Sequence, residues 1–319
     1  MADDGMMIDY VSPASGLPLA EEGGRLSSGS GESFPIVGGI PRFVPPDNYA
    51  AAFGLQWKEF AKTQLDSHNK THISRERLER CLGGDLAALK GKAVLEAGCG
   101  AGRFTELLVG AGAMVHAIDL SAAVEANREN IGEHPNYRVA QASILSFPFP
   151  RGVFDVVICL GVLQHLPSPE EGIRSLWSML KPGGLLVIDH YRRHRLPLPF
   201  AGDFWRLFLK RMSPARALKV SDALVRFFYP LHWAFRGSLQ AQRLLCRVSP
   251  VLVYFHAFPQ LTPSQQYEHS RLDTYDSLTD FYKHLRSAKE IERACESLGA
   301  RDIRVWEGGN GVEARCRKP

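Results

Sequence analysis

The chain of 319 residues lacks cysteine pairs: its six cysteines are scattered, and none forms a CxxC motif. This spacing argues against a metal cluster or a disulfide framework and predicts a reducing, cytoplasmic location. No stretch approaches the run of about 20 apolar residues that a transmembrane helix needs. Because 45% of the residues are hydrophobic and 23% are charged, the composition is that of a globular protein and argues against global disorder.

Acidic residues are scarce in one segment. Residues 192–258 contain twelve lysines and arginines but only two acids, Asp203 and Asp222, whereas acids outnumber bases in the rest of the chain. This imbalance points either to an anionic partner or to a solvated basic face.

Short apolar runs alternate with helical patterns between residues 91 and 191. The strands predicted from this alternation are "AVLEAG", "AMVHAID", "YRVAQAS", "FDVVICLGV" and, after a "KPGG" turn, "LLVIDHY". The tail, residues 288–319, adds a helix and a final β pair. We therefore predict an α/β fold with a doubly wound, mostly parallel, Rossmann-like sheet of seven strands. A helical leader (residues 46–90) precedes this core, and a mostly helical insertion (residues 192–287) interrupts it.

The first strand runs into a glycine loop, "VLEAGCGAGRF". A dinucleotide fingerprint needs glycines at its first, third and sixth places, but counting from Gly98 the sixth place is Arg103. Glu96, just before the loop, is poorly placed beside a pyrophosphate and well placed beside a cation. Asp119, at the end of the second strand, can accept two ribose hydroxyls. The loop therefore favours a positively charged nucleoside.

Four stretches, "VLEAGCGAGRF", "VHAIDLS", "FDVVICLGVLQHLPSP" and "LKPGGLLVIDHY", resemble the successive motifs of class I S-adenosylmethionine-dependent methyltransferases. The resemblance covers residues 91–191 and implies S-adenosylmethionine as the cofactor. It places Glu96 toward the donor's amino group, Asp119 toward its ribose, Leu120 against the adenine and Arg103 near its carboxylate. Ser143 or the backbone of Ile144 is expected at the adenine amine. The other residues expected to line the donor site are Gly98, Cys99, Gly100 and Leu160.

Methyl transfer to a hydroxyl requires a base near the acceptor. Because ligands of such sheets bind beyond the carboxyl ends of the strands, His165 after the fourth strand and Tyr191 after the fifth are candidates. The segment that returns to the core adds Tyr282 and His284. We predict His165 or His284 as the base, with Tyr191 and Tyr282 as acceptor contacts. Structural roles for all four are the alternative.

The basic insertion allows three interpretations. Its helical stretches place apolar and basic side chains on different faces, as with Trp205, Phe208, Leu209 and Met212 against Arg206 and Lys210. It can be a lid with solvated basic faces, a peripheral membrane contact through residues 192–258, or a site for an anionic acceptor with an apolar tail. Nucleic acid is disfavoured, because the insertion lacks the organisation of a base-stacking platform.

Residues 1–45 resemble, in part, a small zinc ribbon that precedes some bacterial methyltransferase domains. Its cysteine pairs would fall on Ser12 and Ser15 and on Ser27 and Ser30, so a serine replaces each sulfur. Because serine is a poor zinc ligand, we predict no bound metal. A flexible Ser/Gly leader is the alternative, although "IVGGIPRFVPP" predicts a defined hairpin.

Together these features predict a cytoplasmic methyltransferase that methylates a small-molecule or lipid-like acceptor at oxygen. In one interpretation the protein is also peripheral to a membrane. Two other interpretations stay open: an RNA methyltransferase, and a non-catalytic protein that keeps the donor fold as a scaffold. The sequence leaves the acceptor and the oligomeric state open.

Overall fold

The computed structural model describes residues 7–45, 48–193 and 201–319. The chain divides into two units. The first comprises Met1–Asn48, Arg75–Arg193 and Tyr282–Pro319, and the second comprises Tyr49–Ser74 and His194–Phe281. The second unit thus combines part of the predicted leader with most of the predicted insertion. Residues 194–200 of that insertion lie outside the described residues.

The elements follow one another as the alternating patterns predict. The strands are β1 (Leu19–Glu22), β2 (Arg25–Ser28), β3 (Ser33–Val37), β4 (Ile40–Pro41), β5 (Ala93–Ala97), β6 (Met114–Asp119), β7 (Tyr137–Gln141), β8 (Phe154–Cys159), β9 (Leu180–His190), β10 (Arg301–Gly308) and β11 (Gly311–Arg317). The α-helices are α1 (Ala51–Glu59), α2 (Asp66–Asn69), α3 (Ile73–Leu82), α4 (Thr105–Gly110), α5 (Ala123–Ile131), α6 (Pro169–Met179), α7 (Ala201–Leu209), α8 (Pro214–Ala234), α9 (Leu239–Val248), α10 (Pro263–Thr279) and α11 (Ala288–Ser297). Short 3-10 helices cover Leu86–Leu89 and Leu163–His165.

Seven strands of the first unit form one sheet in the order β10-β11-β9-β8-β5-β6-β7. The five strands from β5 to β9 pair in parallel, while β11 runs antiparallel to both β9 and β10. The chain moves outward from β5 to β7 and then crosses back to β8 on the other side of β5. The sheet therefore reverses direction between β5 and β8, where doubly wound folds bind their ligands. The predicted α/β fold and its seven-stranded sheet are confirmed.

Buried apolar side chains hold both faces of this sheet, as expected for parallel strands made of nearly continuous apolar runs. One cluster includes Leu95, Ile118 and Trp177, and another includes Val94, Val115 and Leu108. The predicted "KPGG" turn differs in detail, because it lies within the bounds of β9. There the pairing with β8 shifts register and Gly183 adopts a φ of 78°, so the turn is a bulge inside the strand.

The N-terminal strands β1 to β4 form a separate antiparallel sheet in sequential order. This small sheet, the ribbon, contains the predicted hairpin in β3 and β4. It is joined to the edge of the large sheet, because Phe43 donates its backbone N–H to the Gln141 carbonyl in β7 at 2.8 Å. The buried ring of His116 also accepts a hydrogen bond from the Ile8 N–H at 2.9 Å.

The second unit consists of α1, α2, α7, α8, α9, α10 and the beginning of α3. Its helices pack around two small apolar clusters, which contain Leu209, Ala217, Leu224, Tyr275 and Leu278, and Val225, Tyr229 and Val251. Within the part of the chain that the structure describes, no helix is both long and apolar enough to cross a membrane.

Three details of the helix faces in this unit differ from the pattern of the sequence. Arg206, predicted on a solvated face, is largely buried and forms an ion pair with Asp280. Phe208 and Met212, assigned to an apolar face with Leu209, are exposed, whereas Leu209 is buried. Phe227 of α8, although apolar, is likewise 76% exposed, beside the exposed Arg226.

Candidate active site

The glycine loop begins at the carboxyl end of β5, beside the reversal point of the sheet. The backbone N–H groups of Gly98 and Cys99 both donate to the Ile118 carbonyl of β6, at 2.7 and 2.9 Å. The Gly100 N–H donates to the Asp119 carboxylate at 3.0 Å. These three bonds tie the loop to the end of β6, so Asp119 lies beside the turn of the loop.

Gly98 is required by both its conformation and its surroundings. Its φ of 83° lies in the left-handed region, and a Cβ atom at this position would approach Val162 Cγ2 to 2.3 Å. Val162 follows β8, so the close contact packs the loop after β8 against the glycine loop. A larger residue would push these two loops apart.

Glu96 is buried, with 3% of its surface exposed, and its carboxylate accepts a hydrogen bond from the Thr105 hydroxyl at 2.7 Å. The Asn127 amide then donates to Thr105 at 2.9 Å, and the Tyr137 hydroxyl donates to Asn127 at 2.5 Å. No cationic residue among those described pairs with Glu96. Burial consequently raises the pKa of Glu96 to about 8. A buried carboxylate without a cation suits a ligand that brings positive charge.

Asp119 is half-buried, and one of its oxygens accepts hydrogen bonds from both the backbone and the hydroxyl of Ser121, at 2.8 and 2.7 Å. Its other oxygen accepts from Gly100 and keeps capacity for a further donor. Burial raises the pKa of Asp119, and the hydrogen bonds from Ser121 oppose this shift. The geometry fits a ligand hydroxyl.

The remaining residues predicted for the donor site lie near the carboxyl ends of the strands. The Leu120 carbonyl accepts from the Gln141 amide at 3.0 Å, and the Ser143 hydroxyl accepts from the Leu145 N–H at 3.1 Å. Ile144 is buried, and its carbonyl accepts from the Ser175 hydroxyl at 2.6 Å.

Cys99 and Leu160 are also buried, and burial raises the pKa of the Cys99 thiol. The Arg103 guanidinium lies over the Phe104 ring, 5.2 Å from its centroid. The donor contacts assigned to these residues stay predictions.

The four residues predicted for the acceptor side come together. The rings of His165 and Tyr191 meet edge to face with 5.4 Å between centroids, and the His165 Nδ1 lies 3.2 Å from the Tyr282 carbonyl. The Tyr282 and His284 rings stack at 6.2 Å. The ammonium of Lys283 lies 5.9 Å from the Tyr191 ring centroid. The returning segment therefore brings Tyr282 and His284 against the end of the sheet.

Sequence reasoning missed Asp189, which organises the loop after β8. Its buried carboxylate accepts the Gly161 N–H at 2.6 Å and forms an ion pair with Arg77 of α3. The Asn310 amide lies 3.3 Å from the same carboxylate. Because Gly161 precedes Val162, Asp189 positions the residue that packs on Gly98. Arg77 and Asp189 are 112 residues apart, and no local pattern announces their pairing.

Gln164 was also missed, although it lies inside a quoted motif. Its side chain is fully buried, and neither its amide oxygen nor its amide nitrogen has a hydrogen-bond partner. Its backbone carbonyl accepts the His284 N–H at 2.9 Å. The Nε2 atoms of His190 and His284 are also buried without partners. Buried polar atoms are normally bonded, so this group of unsatisfied atoms marks a place where a ligand or water completes the site.

Comparison with known proteins gives a match to one family model. Residues 95–188, from β5 into β9, match the family model described as methyltransferase domain. The matched segment contains the glycine loop and most of the five parallel strands of the large sheet.

Among curated proteins, the chain is similar to ubiquinone biosynthesis O-methyltransferases. It is 37% identical to that of Pseudomonas putida (strain GB-1) over 114 residues, which are 34% of this chain and 49% of the relative. It is 34% identical to that of Coxiella burnetii (strain Dugway 5J108-111) over 110 residues, 33% of this chain and 46% of the relative. The chain thus spans about half the length of the curated relatives it matches.

Among solved structures, the chain is similar to the N-methyltransferase NodS from Bradyrhizobium japonicum WM9 in complex with S-adenosyl-L-homocysteine. That likeness has a TM-score of 0.41 and 19% identity, and it covers 77% of this chain and 87% of the other.

Proposed function

We propose that the protein transfers a methyl group from S-adenosylmethionine to an oxygen of a small-molecule or lipid-like acceptor. The observation that carries this proposal is the pair of carboxylates, Glu96 and Asp119, on either side of a glycine loop inside the segment that matches the methyltransferase family. Oxygen is proposed as the methylated atom because the curated relatives are named O-methyltransferases.

The donor would be held by residues of β5, β6 and the loops that follow them. Bound S-adenosylmethionine supplies a methyl group activated by a positively charged sulfur. Asp119 would accept a ribose hydroxyl on its less occupied oxygen. Glu96 would balance the positive charge of the donor, directly or through water, in a site of low dielectric. The uncharged backbone of the glycine loop permits close approach.

On the acceptor side, His165 or His284 would remove the proton of the acceptor hydroxyl at an imidazole nitrogen. The Nε2 of His284 is buried without a partner. The Nδ1 of His165 lies 3.2 Å from the Tyr282 carbonyl, and with a proton on Nδ1 the lone pair of the imidazole is on Nε2, the nitrogen that would act as the base. Tyr191 and Tyr282 would orient the acceptor and exclude water. An acceptor with an apolar tail would come from a membrane surface, and residues 192–258 would be the part of the chain that contacts this surface.

Donor binding tests the first part of the proposal. Calorimetry should detect S-adenosylmethionine binding to the full chain, and Asp119→Ala should weaken it at least about tenfold, or about 1.4 kcal/mol. Asp9→Ala is the matched control, because Asp9 is an exposed aspartate that forms a surface ion pair with Arg138. Absence of donor binding, or stronger binding of NAD at the same site, would contradict the proposal.

Turnover tests the acceptor side. His165→Ala and His284→Ala should be compared in an assay that follows S-adenosylhomocysteine formation in an extract of small molecules and lipids. At least one substitution should reduce turnover about 100-fold or more, the usual contribution of a general base, while donor affinity stays unchanged. Full activity in both variants would remove both imidazoles from the mechanism. An active donor site without any turnover would favour the scaffold interpretation.

A further inference from the structure

Helix α9 of the second unit has a polar side chain on its buried face and apolar side chains on its exposed face, the reverse of what is usual for a helix in water. Its buried face carries Gln242, whose amide oxygen accepts a hydrogen bond from His232 Nδ1 at 2.7 Å and whose amide nitrogen donates to the His232 carbonyl at 2.8 Å. Its exposed face carries Leu244 and Val248, which are 65% and 63% exposed. A polar residue is buried and satisfied while large apolar residues face outward, which requires an explanation.

Neighbouring helices carry the same kind of surface. On α7, which contacts α9, Phe204, Leu207 and Phe208 are all more than half exposed. The C-terminal half of α8 exposes Phe227 and Leu231, and Phe235, which caps the end of this helix shortly before α9, is also exposed. These three positions are four residues apart and therefore lie along one stripe of the helix. Most of the large apolar side chains exposed in the described chain belong to this unit.

The charges beside these apolar residues are almost all positive. On α9, Arg243 and Arg247 are exposed, and each directly precedes an exposed apolar residue, Leu244 or Val248. The exposed Arg226 likewise precedes Phe227, and the exposed Arg236 follows Phe235. The helix α9 contains no acid, and Asp222 of α8 is engaged by Arg271 at 2.8 Å. On α7, one exposed acid, Asp203, precedes Phe204. The surface therefore combines apolar side chains with a net positive charge.

We propose that α7, the C-terminal half of α8, and α9 form a docking surface for an anionic lipid bilayer. The helices would lie in the plane of the interface, with Phe204, Phe227 and Leu244 among the acyl chains and the arginines at the phosphates. Charge complementarity favours an anionic bilayer over a second copy of this chain, because two copies would bring basic residues against basic residues, which repel each other. A nucleic acid would leave the phenylalanines and leucines in water unless they stacked on bases.

This inference extends the acceptor class proposed above, but it can be tested without turnover. Sedimentation of the full chain should be measured with vesicles of equal parts phosphatidylcholine and phosphatidylglycerol, and with vesicles of phosphatidylcholine alone. Binding should require the anionic lipid and should weaken with salt, because screening reduces the attraction of the arginines to the phosphates.

Two double variants separate the apolar contribution from the charge contribution. Leu244→Asp with Val248→Asp should lower the partition coefficient at least about tenfold, and so should Arg243→Glu with Arg247→Glu. The matched controls lie in the first unit: Val37→Asp with Leu145→Asp, and Arg301→Glu with Arg304→Glu, all at exposed positions. Both controls should bind as the unmodified protein does.

Three outcomes would overturn the docking surface: no binding to anionic vesicles, equal binding by the α9 variants and their controls, or binding to single-stranded RNA but not to vesicles. Donor calorimetry on the same samples verifies that each variant is folded. It also separates this inference from the proposed function. If the protein binds the donor but does not bind vesicles, the docking surface is refuted and the proposed function is not.

Discussion

At the scale of single residues, Glu96 links the charge of the donor to pH. A carboxyl with a pKa of about 8 is mostly protonated at neutral pH, and a cationic ligand favours its ionised form. Binding of S-adenosylmethionine should therefore release a proton, and donor affinity should rise with pH, by up to about tenfold per pH unit below pH 8. Calorimetry between pH 6 and pH 9, in buffers of different ionisation enthalpy, measures both effects.

Two substitutions isolate the contribution of Glu96. Glu96→Gln should remove its part of the pH dependence, so that only the titration of the donor itself remains. Thr105→Val should raise the pKa of Glu96 further, because the Thr105 hydroxyl donates the hydrogen bond that lowers it. An identical pH profile in all three proteins would show that the carboxylate does not respond to the donor.

Gln164 should limit stability and support activity. Gln164→Leu removes two buried polar atoms that have no partners, so it should increase the free energy of unfolding by about 1–3 kcal/mol. The same change should reduce turnover, because Gln164 precedes His165 in the chain and its backbone carbonyl accepts the His284 N–H. Chemical denaturation and the turnover assay measure the two effects.

Gln141→Leu is the matched control, because the Gln141 amide is also buried but has partners in Arg42 and the Leu120 carbonyl. It should destabilise the protein by about 1–3 kcal/mol. A Gln164→Leu variant that is both less stable and fully active would refute the role of Gln164.

These residues also show what the sequence can and cannot predict about the site. Glu96, Asp119 and the glycines stand next to strands, so their place follows from the pattern of one segment. The meeting of His165, Tyr191, Tyr282 and His284 was predictable only as a consequence of the fold, since strand ends gather at one edge of a parallel sheet. The Arg77–Asp189 pair and the lack of partners at Gln164 depend on packing between distant segments, which no local pattern contains.

At the scale of elements, the ribbon is held by hydroxyl groups around a carboxylate. Ser12 and Ser30 donate to Glu32 at 2.6 and 3.0 Å, Ser28 donates at 3.3 Å, and Ser15 donates to the same carboxylate. Hydrogen bonds from Ser12 and Ser15 lower the pKa of Glu32. Of the four serines aligned above with cysteines, Ser12, Ser15 and Ser30 contact this carboxylate. Ser28 contacts it in the place of Ser27, whose hydroxyl lies 3.0 Å from that of Ser33 instead.

Glu32→Gln should loosen the ribbon, because an amide can accept fewer hydrogen bonds than a carboxylate and adds two donors to a cluster of donors. Hydrogen exchange at the Gly31 and Glu32 amides, which are bonded within this turn, should become faster. Glu21→Gln on exposed β1 is the control and should leave exchange unchanged. Equal exchange in the two variants would show that the carboxylate does not organise the turn.

The accuracy of the predicted elements varies with the kind of pattern. Strands β5 to β9 were predictable because most of their residues are buried on both faces, and because β5 and β8 run into loops that contain glycine. The shift from Ser27 to Ser28 reflects a difference of one residue in β2, which reverses the face of the sheet to which a side chain points. The helices of the second unit have an apolar face in sequence, but whether it is buried depends on their neighbours. For Phe204, Phe227 and Leu244 it is exposed.

At the scale of the whole molecule, two buried imidazoles should make stability depend on pH. Burial lowers the pKa of both His116 and His190 to about 4, whereas in the unfolded chain each has its ordinary value near 6.5. As the pH falls from 6.5 to 4, the unfolded state binds these protons and the folded state does not, so the free energy of unfolding decreases over this range. Above pH 6.5 the two imidazoles cost no stability, and below pH 4 they cause no further loss. Each imidazole should account for about 3 kcal/mol of the loss.

Urea denaturation of His116→Asn with His190→Asn should show a shallower decrease than the unmodified protein, while the exposed His134→Asn should retain the full decrease. The same slope in all three proteins would mean that the imidazoles are protonated in the folded state and that the acid sensitivity comes from carboxylates alone.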